Sequence, residues 1–168
     1  MTTLVADTSG LVSLGGAGST DPDPLAVCLS GYDVCVPPEV VEELQEVASY
    51  NDVHGKAATV VCVQTSSMTV QSVDLDTEFP LDDGENAAVT LANEIDAELL
   101  LCDEFNSLGM IHASLANTKI VTTPTLLSVF VRTERLTTEE AQTTLDEISS
   151  ARSWDANSYV QRARSLLG

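Results

Sequence analysis

Two carboxylates in this sequence stand where an apolar run ends. Asp7 follows Leu4-Val5-Ala6, and Asp103 follows Leu99-Leu100-Leu101-Cys102. An ionised acid beside buried side chains is expensive unless it is paired. This context separates the two from surface acids such as those of Asp21-Pro22-Asp23 or Glu139-Glu140. Two more acids can reach the same place from helices: Glu43, in the first turns after a strand, and Glu85, at the start of the helix that feeds the Asp103 strand. Four carboxylates converging on one pocket would repel one another if left ionised and empty, and a hard divalent cation resolves that conflict. Oxygen ligation without His or Cys suits Mg2+ or Mn2+ held by a few carboxylates and several waters. One or two such ions could orient and deprotonate a water, align it with a phosphodiester and stabilise charge on the leaving oxygen. Purely structural roles compete with this reading, since Asp7 could cap a helix and Glu85 could favour a helix dipole.

The elements that must position these acids alternate. Short apolar runs at Thr3 to Ala6, Asp33 to Val36, Glu98 to Cys102 and Lys119 to Thr122 read as strands. Helical patterns occupy Pro24 to Ser30, Pro38 to Ser49, Asp83 to Ile95 and Asn106 to Leu115. A short polar helix is expected near Asn51 to Ala58. The β-branched runs Val60 to Val63 and Thr69 to Val73 read as a small strand pair or irregular edge structure. Gly15-Gly16-Ala17-Gly18 with Asp21-Pro22-Asp23-Pro24 reads as a flexible loop. Alternation of this kind specifies an α/β fold with a parallel sheet, and ligands bind such sheets beyond the carboxyl ends of the strands. The tail is helical over Pro124 to Arg132, over Thr138 to Ser149 through the cap Thr137-Thr138-Glu139-Glu140, and over Ala156 to Leu167. Five of the seven basic residues fall there: Arg132, Arg135, Arg152, Arg162 and Arg164. They are either substrate or partner contacts or ordinary helix-surface cations.

The ordered set Leu4-Val5-Ala6-Asp7-Thr8-Ser9-Gly10-Leu11, Pro37-Pro38-Glu39-Val40-Val41-Glu42-Glu43-Leu44 and Leu81-Asp82-Asp83-Gly84-Glu85-Asn86-Ala87-Ala88 through Leu99 to Glu104 resembles the PIN-domain nucleases. Among them it is most similar to toxin-like proteins related to VapC. The eighteen residues from Glu85 to Asp103 match the family's spacing between its third and fourth acids. The resemblance implies a three-layer α/β/α PIN-like fold with a central parallel sheet over residues 1–131, with 132–168 as a helical C-terminal extension packed on it. It carries over Asp7, Glu43, Glu85 and Asp103 as catalytic, metal-binding residues, with Thr8, Ser9 and Asn106 in support. Glu43 is preferred to Glu42 because it directly precedes Leu44. The implied activity is divalent-metal-dependent hydrolysis of RNA. A toxin role would add an antitoxin partner and a homodimer. Relatives frequently carry basic residues after the last acid, whereas here Glu104-Phe105-Asn106-Ser107 follows Asp103.

Composition sets the conditions. The 168 residues suffice for one domain with a real core. Apolar residues make up 43% of the chain, which excludes disorder. Yet 26 Asp and Glu against 7 Lys and Arg give a net charge of −19. In ordinary cytosol such a surface repels nucleic acid and anionic membranes alike. In molar salt the Debye length falls to about 3 Å and the repulsion is screened, so the composition points to a halophile. The start Met1-Thr2-Thr3 has no basic n-region and no apolar run reaches the roughly 18 residues of a membrane span, so a cytoplasmic protein is expected. Cys28, Cys35, Cys62 and Cys102, with His54 and His112, have neither zinc-site nor disulfide spacing. Two other functions stay open. One is an acid-pocket phosphotransfer or phosphatase domain, which wants a second acid where Ser9 stands and a late-strand Lys where only Lys119 is available. The other is a non-catalytic interaction module of the same fold.

Overall fold

The computed structural model describes residues 1–18, 20–154 and 156–167. Five parallel strands, β1 (Thr3–Ala6), β2 (Asp33–Val36), β3 (Thr69–Val70), β4 (Leu99–Leu101) and β5 (Lys119–Val121), form one sheet in the order β3-β2-β1-β4-β5. The strand order reverses at β1, which pairs Val5 with Cys35 of β2 on one side and with Leu100 of β4 on the other. The carboxyl ends of β1 and β4 are therefore neighbours at the switch point, where this architecture opens its crevice.

Both faces of the sheet are covered, which explains why its strands read as nearly continuous apolar runs. Leu4, Ala6, Val34, Val36, Leu101 and Val121 point into the larger core. That core includes side chains from α1 (Thr8–Gly15), α2 (Pro24–Gly31), α3 (Pro38–Ala48), α4 (Val53–Gln64) and α7 (Thr123–Arg132). Val5, Cys35, Leu100 and Cys102 point the other way, onto Ala88 and Leu91 of α5 (Asp83–Glu94) and Ile111 of α6 (Leu108–Ser114). The chain thus forms helix, sheet and helix layers, as expected from the sequence.

The last helices are α8 (Thr138–Arg152) and α9 (Ser158–Leu167). A capping box opens α8: the Thr137 hydroxyl accepts from Glu140 N at 3.1 Å, and the Glu140 carboxylate accepts from Thr137 N at 2.8 Å. Leu145, Ile148, Trp154, Val160 and Leu167 join the same core as Leu4, so the tail shares the apolar interior of the sheet domain. Among the described residues, no helix is long and apolar enough to cross a membrane.

Two expectations are corrected. Val60 to Val63 is not a strand: it belongs to α4, which runs on from the expected polar helix to Gln64. The Asp52 carboxylate caps this helix by accepting from Gly55 N at 2.8 Å. Ala57, Ala58 and Val61 form its buried face, leaving Val63 72% exposed. β-branched residues signalled a strand, but burial at helical spacing overrode that propensity. Of the second β-branched run only Thr69–Val70 is a strand, paired with β2. The Gly15-Gly16-Ala17-Gly18 segment is also less open than expected. Gly15 ends α1 in a buried position where a Cβ would come within 2.5 Å of the Ala57 carbonyl oxygen, and Ala17 is fully buried. Small side chains here serve close approach of α1 to α4.

The helical period of α4 gives a direct test. In a strand, residues 61 and 63 would share a face, whereas in α4 they diverge. Val61→Ala should cost about 2 kcal/mol and Val63→Ala less than about 0.5 kcal/mol, measured by urea denaturation.

Candidate active site

An open cleft of about 260 Å³ lies beyond the carboxyl ends of β1 and β4. Asp7 is its floor. The residue is 3% exposed and is fixed by the sheet, because its backbone N–H donates to the Leu101 carbonyl at 2.9 Å. Its Oδ2 accepts from the Ser9 hydroxyl at 2.9 Å and from the Cys102 thiol at 3.6 Å. Asp7 is the N-cap residue of α1 by position, yet its side chain makes no capping hydrogen bond. The simple cap role is therefore not what holds this carboxylate in place.

Glu43 and Glu85 face the same cleft from α3 and α5. Glu42 is exposed on the outer side of α3, while Glu43 is half-buried. The approach of α5 to α3 is close: a Cβ at Gly84 would fall 1.5 Å from Glu43 Oε1. Glycine at 84 is thus a steric condition for the position of the Glu43 carboxylate. Asp82 caps α5 by accepting from Glu85 N at 2.8 Å, which sets the helix start beneath Glu85. Ser9 and Thr8 also line the cleft. Thr8 Oγ1 is buried without a partner in good hydrogen-bond geometry, although it lies near enough to the Glu43 carboxyl to oppose the upward push of burial there.

Asp103 is placed differently. Its carboxylate does not line the cleft but turns to the start of α7, where Oδ1 accepts from Thr123 N at 2.7 Å and Oδ2 from the Thr123 hydroxyl at 2.6 Å. Its backbone N–H donates to Ser9 Oγ at 2.9 Å. Ser9 therefore links Asp103 to Asp7, making Asp103 part of the frame behind the cleft. Asn106 is exposed and also lies outside the cleft lining. Sequence reasoning gave no site role to Glu104, Asp82, Tyr50 and His54, and named Arg152 only among the tail arginines that could contact substrate or a partner; all five line the cleft. Glu104 and Asp82 each adjoin or cap an element already singled out. Arg152 comes from the far end of α8, and no local motif announces it.

The acids strain one another. Burial raises Asp7 to about 6, with the charges of Glu104 and Asp82 adding to it and the Ser9 hydroxyl opposing. Burial likewise raises Glu43 and Glu85 to about 7, and Asp7, Asp82 and Glu104 push both further. Asp103 is also raised by burial, against the pull of Thr123 and the Arg152 charge. Among the described residues, no three carboxylates, imidazoles or thiols close tightly enough to enclose an ion by themselves. The donors facing the cleft are chiefly carboxylate and hydroxyl oxygens with an orphaned threonine hydroxyl among them. Such a set fits a small hard cation that keeps several of its waters and does not fit a dehydrated ion in a protein cage.

Two stability effects follow. A carboxyl raised from 3.8 to about 6 in the folded state binds protons that the unfolded chain has already released, so its contribution is lost as pH rises from about 4 to 6. In chelator, Asp7→Asn should therefore match the parent near pH 4 and exceed it by about 2–3 kcal/mol at pH 7.5, measured by denaturant titration. Asp103→Ala should do the reverse. It strands two buried Thr123 donors and should cost about 2–4 kcal/mol in the same assay at pH 7.5.

A family model described as a PIN domain matches residues 3–168. No match was found among curated proteins. The crossover at β1, the acids at the carboxyl edge of the sheet and this near-complete match agree, and the chain belongs to the PIN-domain family, whose members are generally nucleases that work with divalent metal ions.

Proposed function

We propose that this protein is a Mg2+- or Mn2+-dependent endoribonuclease that hydrolyses RNA phosphodiesters with an activated water and forms no covalent intermediate. The observation that carries this reading is the meeting of Asp7, Glu43 and Glu85 in one cleft, where burial and the neighbouring charges of Asp82 and Glu104, joined at both glutamates by Asp7, raise the affinity of each for a positive charge. In the absence of a metal that positive charge is a proton. Asp7, Glu43 and Glu85 would hold the ion, with the Thr8 hydroxyl as a further oxygen or as a partner to one of its waters. The bound ion supplies a water that is nucleophilic at neutral pH and offsets charge at the phosphodiester.

The chain's own residues do the rest. Ser9 fixes the Asp7 carboxylate through one oxygen and leaves the other available to the cleft. Gly84 lets the start of α5 approach the Glu43 carboxylate while Glu85 faces the same cleft. Asp103 anchors the start of α7 and, through its own backbone N–H, the Ser9 hydroxyl. In this assignment Asp103 is a positioning residue, while its membership of the ligand set rests on the family resemblance. Asn106, exposed outside the cleft, would touch RNA only at its margin.

The acidic surface fits work in a high-salt cytoplasm. There the coat is screened, and binding relies on the ion, hydrogen bonds and stacking instead of long-range attraction. A toxin role with a protein antitoxin and a homodimer is the finer form of this proposal. One observation favours a second reading, a non-catalytic binding module: the described acids do not by themselves enclose an ion.

RNA cleavage distinguishes the two readings. The protein should cleave single-stranded RNA in Mg2+ or Mn2+ and molar KCl, and cleavage should stop in chelator. Asp7→Asn and Glu85→Gln should each lower kcat at least about 100-fold, as expected when an ion loses a ligand that orients the reacting water. Gly84→Ala should lower kcat about tenfold or more while shifting stability by less than about 1 kcal/mol, because it displaces only the flexible end of Glu43. Gel-resolved cleavage rates check these expectations. Full activity in the Asp7→Asn, Glu85→Gln double variant would exclude the nuclease.

A further inference from the structure

Next to the acidic cleft lies a chain of stacked side chains that the hydrolytic chemistry does not use. Glu104 lines the cleft, and the following residue, Phe105, is not part of that lining but packs against other rings. Trp154 meets the Phe105 ring edge-on, with centroids 5.1 Å apart and planes at 61°. Tyr159, at the start of α9, lies nearly parallel to Phe105, at 5.3 Å and 11°. The guanidinium of Arg152 stands 5.9 Å over the Trp154 ring and also lines the cleft, where it is the sole Lys or Arg among the described lining residues.

Burial differs sharply along this chain. Trp154 is 7% exposed, as expected of a core ring, while Tyr159 is 48% exposed. Aromatic residues make up only 4% of the sequence, so the three rings gathered here are three of its seven Phe, Tyr and Trp residues. A half-exposed aromatic ring held parallel to a neighbour, and linked through Phe105 and Trp154 to the arginine that lines the cleft, matches what a strand of unpaired nucleotides requires. Base stacking on an aromatic face tolerates any base, and it survives salt that would abolish phosphate attraction.

We propose that Tyr159, seated on Phe105 and backed by Trp154, is a stacking platform for an unpaired base of single-stranded RNA, with Arg152 meeting the adjoining phosphate as the backbone enters the cleft. The inference rests on the nuclease reading for the identity of the strand. It assigns to the C-terminal extension the substrate contact that the acidic segment after Asp103 does not supply. It also makes the enzyme selective for single strands, because a paired base cannot leave its stack to cover the tyrosine without a cost in unpairing.

Fluorescence anisotropy with a labelled single-stranded RNA, in Mg2+ and 1 M KCl, tests the platform in an Asp7→Asn background that retains the bound strand. Tyr159→Ala should weaken binding about tenfold and Tyr159→Phe less than about twofold. Circular dichroism reads the fold of each variant. An RNA carrying abasic sites throughout should bind weakly and show no difference between Tyr159 and Ala. The Arg152→Ala loss should shrink as KCl is raised, whereas the Tyr159→Ala loss should not. Equal binding by the Tyr159→Ala variant, or no measurable binding to single-stranded RNA, overturns the platform. Metal-dependent cleavage by the unmodified protein, run in parallel, separates the two readings. Cleavage without a Tyr159 effect removes the platform alone. Tyr159-dependent binding without cleavage removes the nuclease and leaves an RNA-binding surface.

Discussion

Like charges held close together at the switch point of a parallel sheet are the constraint on which the rest of the structure turns. The register of β1 against β4 sets Asp7 beside the end of the Leu99–Leu101 strand, and α3 and α5 bring Glu43 and Glu85 to the same opening. Hydrophobic burial of the strands and helices supplies the force that keeps these acids together against their mutual repulsion. The compensation is local and polar: a serine hydroxyl and a thiol on Asp7, a threonine hydroxyl near Glu43, two donors from Thr123 on Asp103. None of these brings a positive charge into the cleft, where Arg152 is the one Lys or Arg among the described lining residues, against five acids. A fold that concentrates negative charge in such excess is suited to a cation.

The general acidity of the chain has a different origin from the acidity of the cleft. Among the described residues the one ion pair is Arg164 with Asp146, on the outer surface of the C-terminal helices. With only 7 Lys and Arg against 26 acids, most surface acids have no cation available to pair with, and their mutual repulsion weakens as salt screens it. Within the cleft, solvent is partly excluded and the same carboxyl chemistry becomes a shifted pKa and a demand for a ligand. Placement, and not count, distinguishes the two populations.

Much of this was legible in the sequence where several signals agreed. β1, β2 and β4 were marked by apolar runs, α5 by its Ala and Leu periodicity, and α8 by a capping box that forms as written. The approach of Asp7, Glu43 and Glu85 was legible from their positions at element ends together with the family resemblance. What escaped depended on tertiary packing. The β-branched residues of α4 look like a strand until α1 and α3 bury one helical face of them. The side chain of Asp103 is drawn toward Thr123 by a helix start twenty residues downstream, which no local spacing records. Arg152 reaches the cleft, and Tyr159 reaches Phe105, through the packing of α8 and α9, so their relevance depends on three-dimensional contacts.

The central claim is that the repulsion among buried acids is relieved by a divalent cation, and a thermal-shift titration with Mn2+ measures that relief directly. In 2 M KCl, which already screens the surface coat, Mn2+ should raise Tm at pH 7.5, where Asp7, Glu43 and Glu85 are largely ionised. The rise should fade at pH 5, where protons occupy these groups instead. A Tm indifferent to Mn2+ at pH 7.5, or one shifted equally at both pH values, would contradict the account.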